Sequence, residues 1–165
     1  MEYTIREKII KELYDLYDEF VFESISDPTL HRGRQIFDVN IEPPPIIAIL
    51  PRIEEGIPAD YGMQDLKMPV DIICLAQIGE ENPSELGEAI LGELIACAFG
   101  KETEGADGRP EKYGGLTDTY ADSIMYRTGG IDAYPDELGQ QVLHVGITVD
   151  IRYQIKAGNP YSQED

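Results

Sequence analysis

The side chains that most often carry catalysis are sparse in this chain. It has 165 residues and only two histidines, His31 and His144, so the usual general base is scarce. His144 falls on the polar side of an alternating stretch, where a solvated or hydrogen-bonded surface imidazole is the ordinary reading. No Gly-x-Ser-x-Gly elbow is present, so the strained serine turn of a hydrolase is not indicated. Neither phosphate-cradling glycine pattern follows a strand, and no His-Glu-x-x-His pair occurs. Carboxylates are abundant, so chance pairs carry little weight. Asp132, Asp136 and Glu137 lie close enough in sequence to hold calcium, but their spacing lacks the alternating ligands and central glycine of an EF-hand. Asp118 and Asp122, beside Tyr120, form a second pair. For both groups a solvated acidic loop is the default. Cys74 and Cys97 sit in apolar segments. A disulfide is open to them in principle, but two buried thiols acting as small hydrophobes fit better. The expectation is no catalytic set, no cofactor and no metal.

The remaining chemistry is that of contact. His31, Arg32 and Arg34 form a cationic cluster in an otherwise acidic chain. They either pair with nearby acids or let their loop dock onto an acidic neighbour. There are ten tyrosines and no tryptophan. Tyr113, Tyr120, Tyr126, Tyr134 and Tyr161 fall in loops or at weak strand positions, where tyrosine buries area and keeps a polar handle.

Thirty-two acids against 13 bases give a net charge of -19. That balance argues against a reader of nucleic acid held by phosphate contacts, which need clustered Lys and Arg. It leaves room for DNA to pass without sticking. No run of about 18 apolar residues marks a membrane span, and the first residues lack the basic and apolar regions of a signal peptide. The length fits one domain, 1–165, with long loops at 27–45 and 100–141.

The elements that must position these residues follow from periodicity. Thr4 to Glu7 is a capping box, and Ile5, Ile9, Leu13, Leu16 and Phe20 recur at helical spacing; this helix should end near Phe22–Ser26, before Pro28. Residues 27–45 read as a connection whose Pro43-Pro44-Pro45 run is extended. Ile46–Ile53 is a strand with Pro51 at an edge or early end. Met68–Ile78 is a strand apolar on both sides near its middle, hence interior and covered on both sides, by helices or by a partner subunit. Asn82 caps a second helix with Pro83 at its first position and Gly100 at its end; Gly87 and Gly92 within it point to close approach of another backbone. A third strand falls within Thr119–Thr128 and stops at Gly129-Gly130. The last strand, Leu143–Ile155, alternates strictly. Its length suggests that it overhangs the domain or that the sheet continues between subunits. Its polar row, with His144, Thr148, Asp150, Arg152 and Gln154, should face a neighbour or a channel. The tail from Gly158 should order only on contact. The fold class is α+β, a mainly antiparallel sheet with two helices packed on one face, in the order α-β-β-α-β-β.

This order resembles the tail terminator (tail completion) proteins of long-tailed bacteriophages and related prophage or gene-transfer-agent particles. The residues carrying the likeness are the N-terminal helix, the Pro-rich connection, Glu85-Leu86-Gly87-Glu88-Ala89-Ile90-Leu91, and Val145–Tyr153 closing with Gly158-Asn159-Pro160. The resemblance covers most of the chain and rests on order and texture, with longer loops at 27–45 and 100–141 than the smaller members have. It implies a structural virion protein: a homo-oligomeric, hexameric ring at the head-proximal end of the tail tube. Such a ring stops tube polymerisation and offers a surface to a head-completion or connector protein, with DNA passing through its channel. It would assemble in the host cytoplasm. A neck or head-to-tail adaptor, and more distantly a metal-dependent enzyme of the acidic loops, are the alternatives. A ring of chains at -19 each must set bases against acids or bind cations; the first singles out Arg32, Arg34, Arg127 and Arg152. With Asp150 and the tyrosines Tyr120, Tyr126, Tyr134 and Tyr161, these are the candidate subunit or partner contacts.

Overall fold

The structure is a computed structural model; it describes residues 1–35, 37–58, 62–100, 102–104, 110–112, 119–135 and 142–164. The elements run α1 (Ile5–Glu19), β1 (Thr29–Arg32), β2 (Ile46–Pro51), β3 (Glu55–Ile57), β4 (Met63–Gln77), α2 (Pro83–Phe99), β5 (Glu102–Glu104), β6 (Pro110–Lys112), β7 (Ala121–Ala133) and β8 (Val142–Lys156). The main sheet has six strands in the order β1-β2-β4-β8-β7, with β3 paired to β4; β5 and β6 form a separate hairpin. All main-sheet pairings are antiparallel except β1 with β2. The α+β class and the order α-β-β-α-β-β are therefore present as α1, β2, β4, α2, β7 and β8, with short strands added.

Both helices cover one face. Ile9 and Leu13 of α1, Ile90 and Leu94 of α2, and the alternate residues Val70, Ile72, Val145 and Ile147 of the sheet share one buried cluster. Thr4 caps α1 by accepting from Glu7 N at 3.1 Å. Glu7 does not reach back to close the box, because its carboxylate holds Arg32. The helix stops at Glu19, a turn earlier than periodicity predicts, with Phe20 extended. The chain leaves there because Phe20 and Phe22 pack edge to face and the Glu93 carboxylate accepts from Glu23 N and Ser24 N at 2.7 and 2.8 Å. Asn82 accepts from Ser84 N and Glu85 N, and Gly100 ends α2. Gly87 is a close approach: a Cβ there would lie 2.4 Å from Ile131 Cδ1, a side chain and not the backbone expected. Gly92 faces open space.

The long strands differ from expectation in their neighbours. β8 does not overhang. It pairs with β4 along its whole length, Met63↔Lys156 to Gln77↔Val142, and with β7 on its other side. At ~3.3 Å per residue its 15 residues span roughly 50 Å, matched by an equally long β4. β7 runs through Gly129-Gly130 to Ala133, because Gly129 fits where Tyr126 Oη, Ile147 Cγ2 and Gly146 O crowd the space a Cβ would take. β4 begins at Met63, five residues before the apolar run, because β3 pairs with Asp65–Lys67. Pro69 lies inside this interior strand. Its carbonyl accepts from Arg52 N beyond the end of β2, so its missing N–H costs no ladder bond to β8.

The 27–45 connection is not all loop. Thr29–Arg32 pairs in parallel with Ile46–Ile49, and a parallel neighbour needs the dozen residues that follow it. The proline run is not extended throughout: the Pro44–Pro45 bond is cis, and the Pro45 carbonyl accepts from Thr29 N. Likewise the 100–141 connection holds β5, β6 and β7. The tail is ordered within the chain: Lys156 N donates to Ser162 O, Ile5 N to Pro160 O, and Gln163 Nε2 to Tyr120 O and Gln154 O.

Candidate interaction surface

The second face of the sheet carries no helix among the described elements. At one end Ile46, Leu75 and Val142 are buried with Phe37 and Ile73 packed against them, so Phe37 covers that end. There the second side of β4 is covered within the chain; along the rest no described element covers it, and covering by a partner subunit stays an expectation. The remainder is open and is lined by the polar residues of β4, β7 and β8.

Its charges are tied in a row. Arg52 Nε donates to Asp71 Oδ2 at 2.7 Å, and Thr148 Oγ1 donates to Asp71 Oδ1 at 2.6 Å. Arg127 grips Asp150 with two bonds, Nε at 2.9 Å and Nη2 at 2.5 Å. Gln154 Nε2 donates to Asp65, and Lys67 pairs with Glu55 at 3.2 Å. The sheet slips register between Tyr126/Thr128 and Thr148/Val149. Arg127 is the extra residue of that β-bulge, and bulges re-aim side chains; this one brings Arg127 to Asp150. Two further slips, at Ala121/Ser123 and Ile131/Ala133, interrupt β7 along the sheet edge, which discourages strand addition there.

Apolar groups stand among these pairs. Ile53 is 91 % exposed and Met125 56 %. Arg52, Ile53, Pro69, Asp71, Arg127 and Thr148 line one concavity of about 500 Å³. A second, of about 450 Å³, continues over Gly130, Gly146 and Ile73. Such a surface holds its dipoles in fixed positions around apolar points, which suits docking.

The sequence-derived candidates are only partly gathered here. Arg127 and Asp150 meet on the open face, and Arg152 is two residues along it, exposed and with no ion-pair partner among the described residues. Arg32 and Arg34 lie elsewhere and are engaged within the chain: Arg32 grips Glu7 with two bonds at 2.6 and 2.5 Å, and Arg34 pairs with Glu42 and lies over Phe37. His31 Nε2 is 3.0 Å from Glu42 Oε2. The cationic cluster thus pairs with nearby acids, the first of its two readings. The Arg32 guanidinium, through its hydrogen bonds, holds Glu7 below the usual carboxylate range. Tyr120 is half-buried under Lys8. Tyr126, Tyr134 and Tyr161 are exposed at separate places, with Tyr126 opposite inward-pointing Val149. Arg52, Ile53, Asp71 and Met125 were missed. The one signal available was Asp71, a lone acid inside the apolar run Val70–Ala76.

Among the described residues no group of three His, Cys, Asp or Glu is placed to hold a metal ion. Asp118, Asp136 and Glu137 lie outside the described residues, as does Tyr113. Asp122 stands near Asp65; burial and that charge raise its carboxyl above the ordinary value. Burial pushes both the Cys74 and Cys97 thiols up to about 12, so neither is a ready nucleophile. No described helix is long and apolar enough to cross a membrane. Neither a protein-family model nor a curated protein matches the chain.

Proposed function

We propose that this chain is a structural assembly subunit of the phage tail-terminator type. In this reading copies form a ring, hexameric by resemblance, that caps the tail tube, stops its growth and offers a surface for head attachment. The observation that carries it is the open sheet face: a rigid platform of 13- and 15-residue strands with apolar points set among fixed ion pairs. A further support is that the polar row of β8 lies on this face, with Thr148, Asp150 and Gln154 each already held by a neighbouring strand. The net charge of -19 lets DNA pass a ring of such chains without being held.

The test is to add the purified chain to isolated tail tubes and to view them by negative-stain electron microscopy. The reading expects a ring at one end of each tube and an end to elongation when tube protein is supplied. Tubes that elongate normally, with bare ends, would refute it.

A further inference from the structure

The exposed apolar and charged groups on the two sides of the molecule match each other. On the open face, Ile53 and Pro69 line one concavity together with Arg52, Asp71 and Arg127. Arg52 donates to Asp71 through Nε, and Arg127 to Asp150 through Nε and Nη2; neither arginine has another side-chain bond among the described residues. Arg52 keeps both Nη groups for an incoming carboxylate, and Arg127 keeps Nη1. The site is held in place, since Arg52 N donates to Pro69 O and Arg6 donates to Arg52 O.

At the end of α1 the arrangement is inverted. Val21 is 83 % exposed and follows Asp18 and Glu19, which are exposed and without ion-pair partners among the described residues. Neither helix has a basic residue in its last turn. Two carboxylates at a helix C-terminus oppose the helix dipole, so they lower the stability of α1 with no compensating ion pair among the described residues. This segment is nevertheless anchored. Phe20 and Phe22 pack on each other on either side of Val21, and Glu93 anchors the next two backbone N–H groups.

We propose that the exposed Val21 of one copy packs against the exposed Ile53 of a second copy, with Asp18 and Glu19 against Arg52 and Arg127. This rests on the self-assembly reading above and names the surfaces it would use. The two patches are different, so the contact is head-to-tail, and repetition closes a ring where the rotation allows. The pairing also gives the unpartnered acids Asp18 and Glu19 the Nη groups that Arg52 and Arg127 leave free beside Asp71 and Asp150.

Val21 and Ile53 are both exposed, so substitutions there leave the fold intact. Association is read by native mass spectrometry over a concentration series. Val21→Lys sets a cation against two arginines, and Ile53→Glu sets a carboxylate against two acids; each should weaken association at least ~10-fold. The double variant, with Lys facing Glu, should return to within about 3-fold of the parent chain. In parallel, Ile53→Cys carries a photo-crosslinking maleimide; Cys74 and Cys97 are buried and do not compete. The expected cross-link is to the tryptic peptide 12–32 of another copy. An assembled chain that cross-links elsewhere, or whose double variant is as weak as the singles, overturns this contact and leaves the ring reading intact. A chain that is monomeric throughout overturns both.

Discussion

The two faces of the sheet are built from the same strands and differ in what limits them. On the helix side, alternate residues of β4 and β8 are sealed: Met68, Val70, Ile72, Val145, Val149 and Ile151 are all fully buried. On the other side the intervening residues carry Asp71, Thr148, Asp150 and Arg152, with Ile53 and Met125 left in water. One face stores stability, and the other holds positions. The lesson is that a period-2 pattern splits a single strand into a packing row and a contact row, and substitutions in the two rows should have different readouts.

The largest effect should come from breaking the packing row. Ile72→Ala or Ile147→Ala should lose ~2–5 kcal/mol of stability, as cavities in sealed cores do, read as a fall in the urea midpoint. A loss below ~1 kcal/mol would mean that this side is looser than the burial implies. Next comes the pair of helix glycines. Gly87→Ala drives a Cβ to within 2.4 Å of Ile131 and should cost about 1–3 kcal/mol through overpacking, less whatever helix propensity returns. Gly92→Ala meets nothing and should gain ~1 kcal/mol. Equal responses at the two positions would erase the distinction between the contacting and free sides of α2.

Smaller still are the folding effects on the contact row. Asp150→Ala together with Arg152→Ala breaks the surface pair of Arg127 with Asp150 and should change unfolding by about 1 kcal/mol, while assembly suffers more than folding. Equal loss of both would return β8 to a purely structural role. The smallest expected effect is at acid pH. Glu7 is held below its ordinary value by Arg32, so the pair contributes fully above the pKa of the unfolded glutamate. That contribution is lost as pH falls through the lower folded value. Glu7→Gln should therefore cost up to about 1 kcal/mol near neutrality and nothing once the pH is below both. Stability curves that stay parallel down to that pH would contradict the assignment.

Much of the fold was legible because burial writes itself into period. α1, α2 and β8 each carry a clean 3.6- or 2-residue pattern with matching caps, and Asn82, Pro83 and Gly100 mark the bounds of α2 correctly. β1 and β3 were not legible. They are three or four residues long and exist only because β2 and β4 offer unsatisfied edges, a tertiary cause with no local signature. β7 runs past Gly129-Gly130 for a tertiary cause too, its pairing with β8. The candidate surface was half legible. Arg127, Asp150 and Arg152 come from strands that pattern could place, whereas Arg52 and Ile53 follow the end of β2. Their meeting with Asp71 depends on strand order. Arg32 and Arg34 looked free because sequence does not reveal that Glu7 and Glu42 fold back to them.

The claim on which the account turns is that the open face is an assembly surface, and native mass spectrometry of the parent chain beside Ile53→Glu tests it most directly. The account predicts an oligomer of one stoichiometry for the parent and a folded monomer for the variant under the same conditions. A monomeric parent, or a variant that assembles as well as the parent, would contradict it.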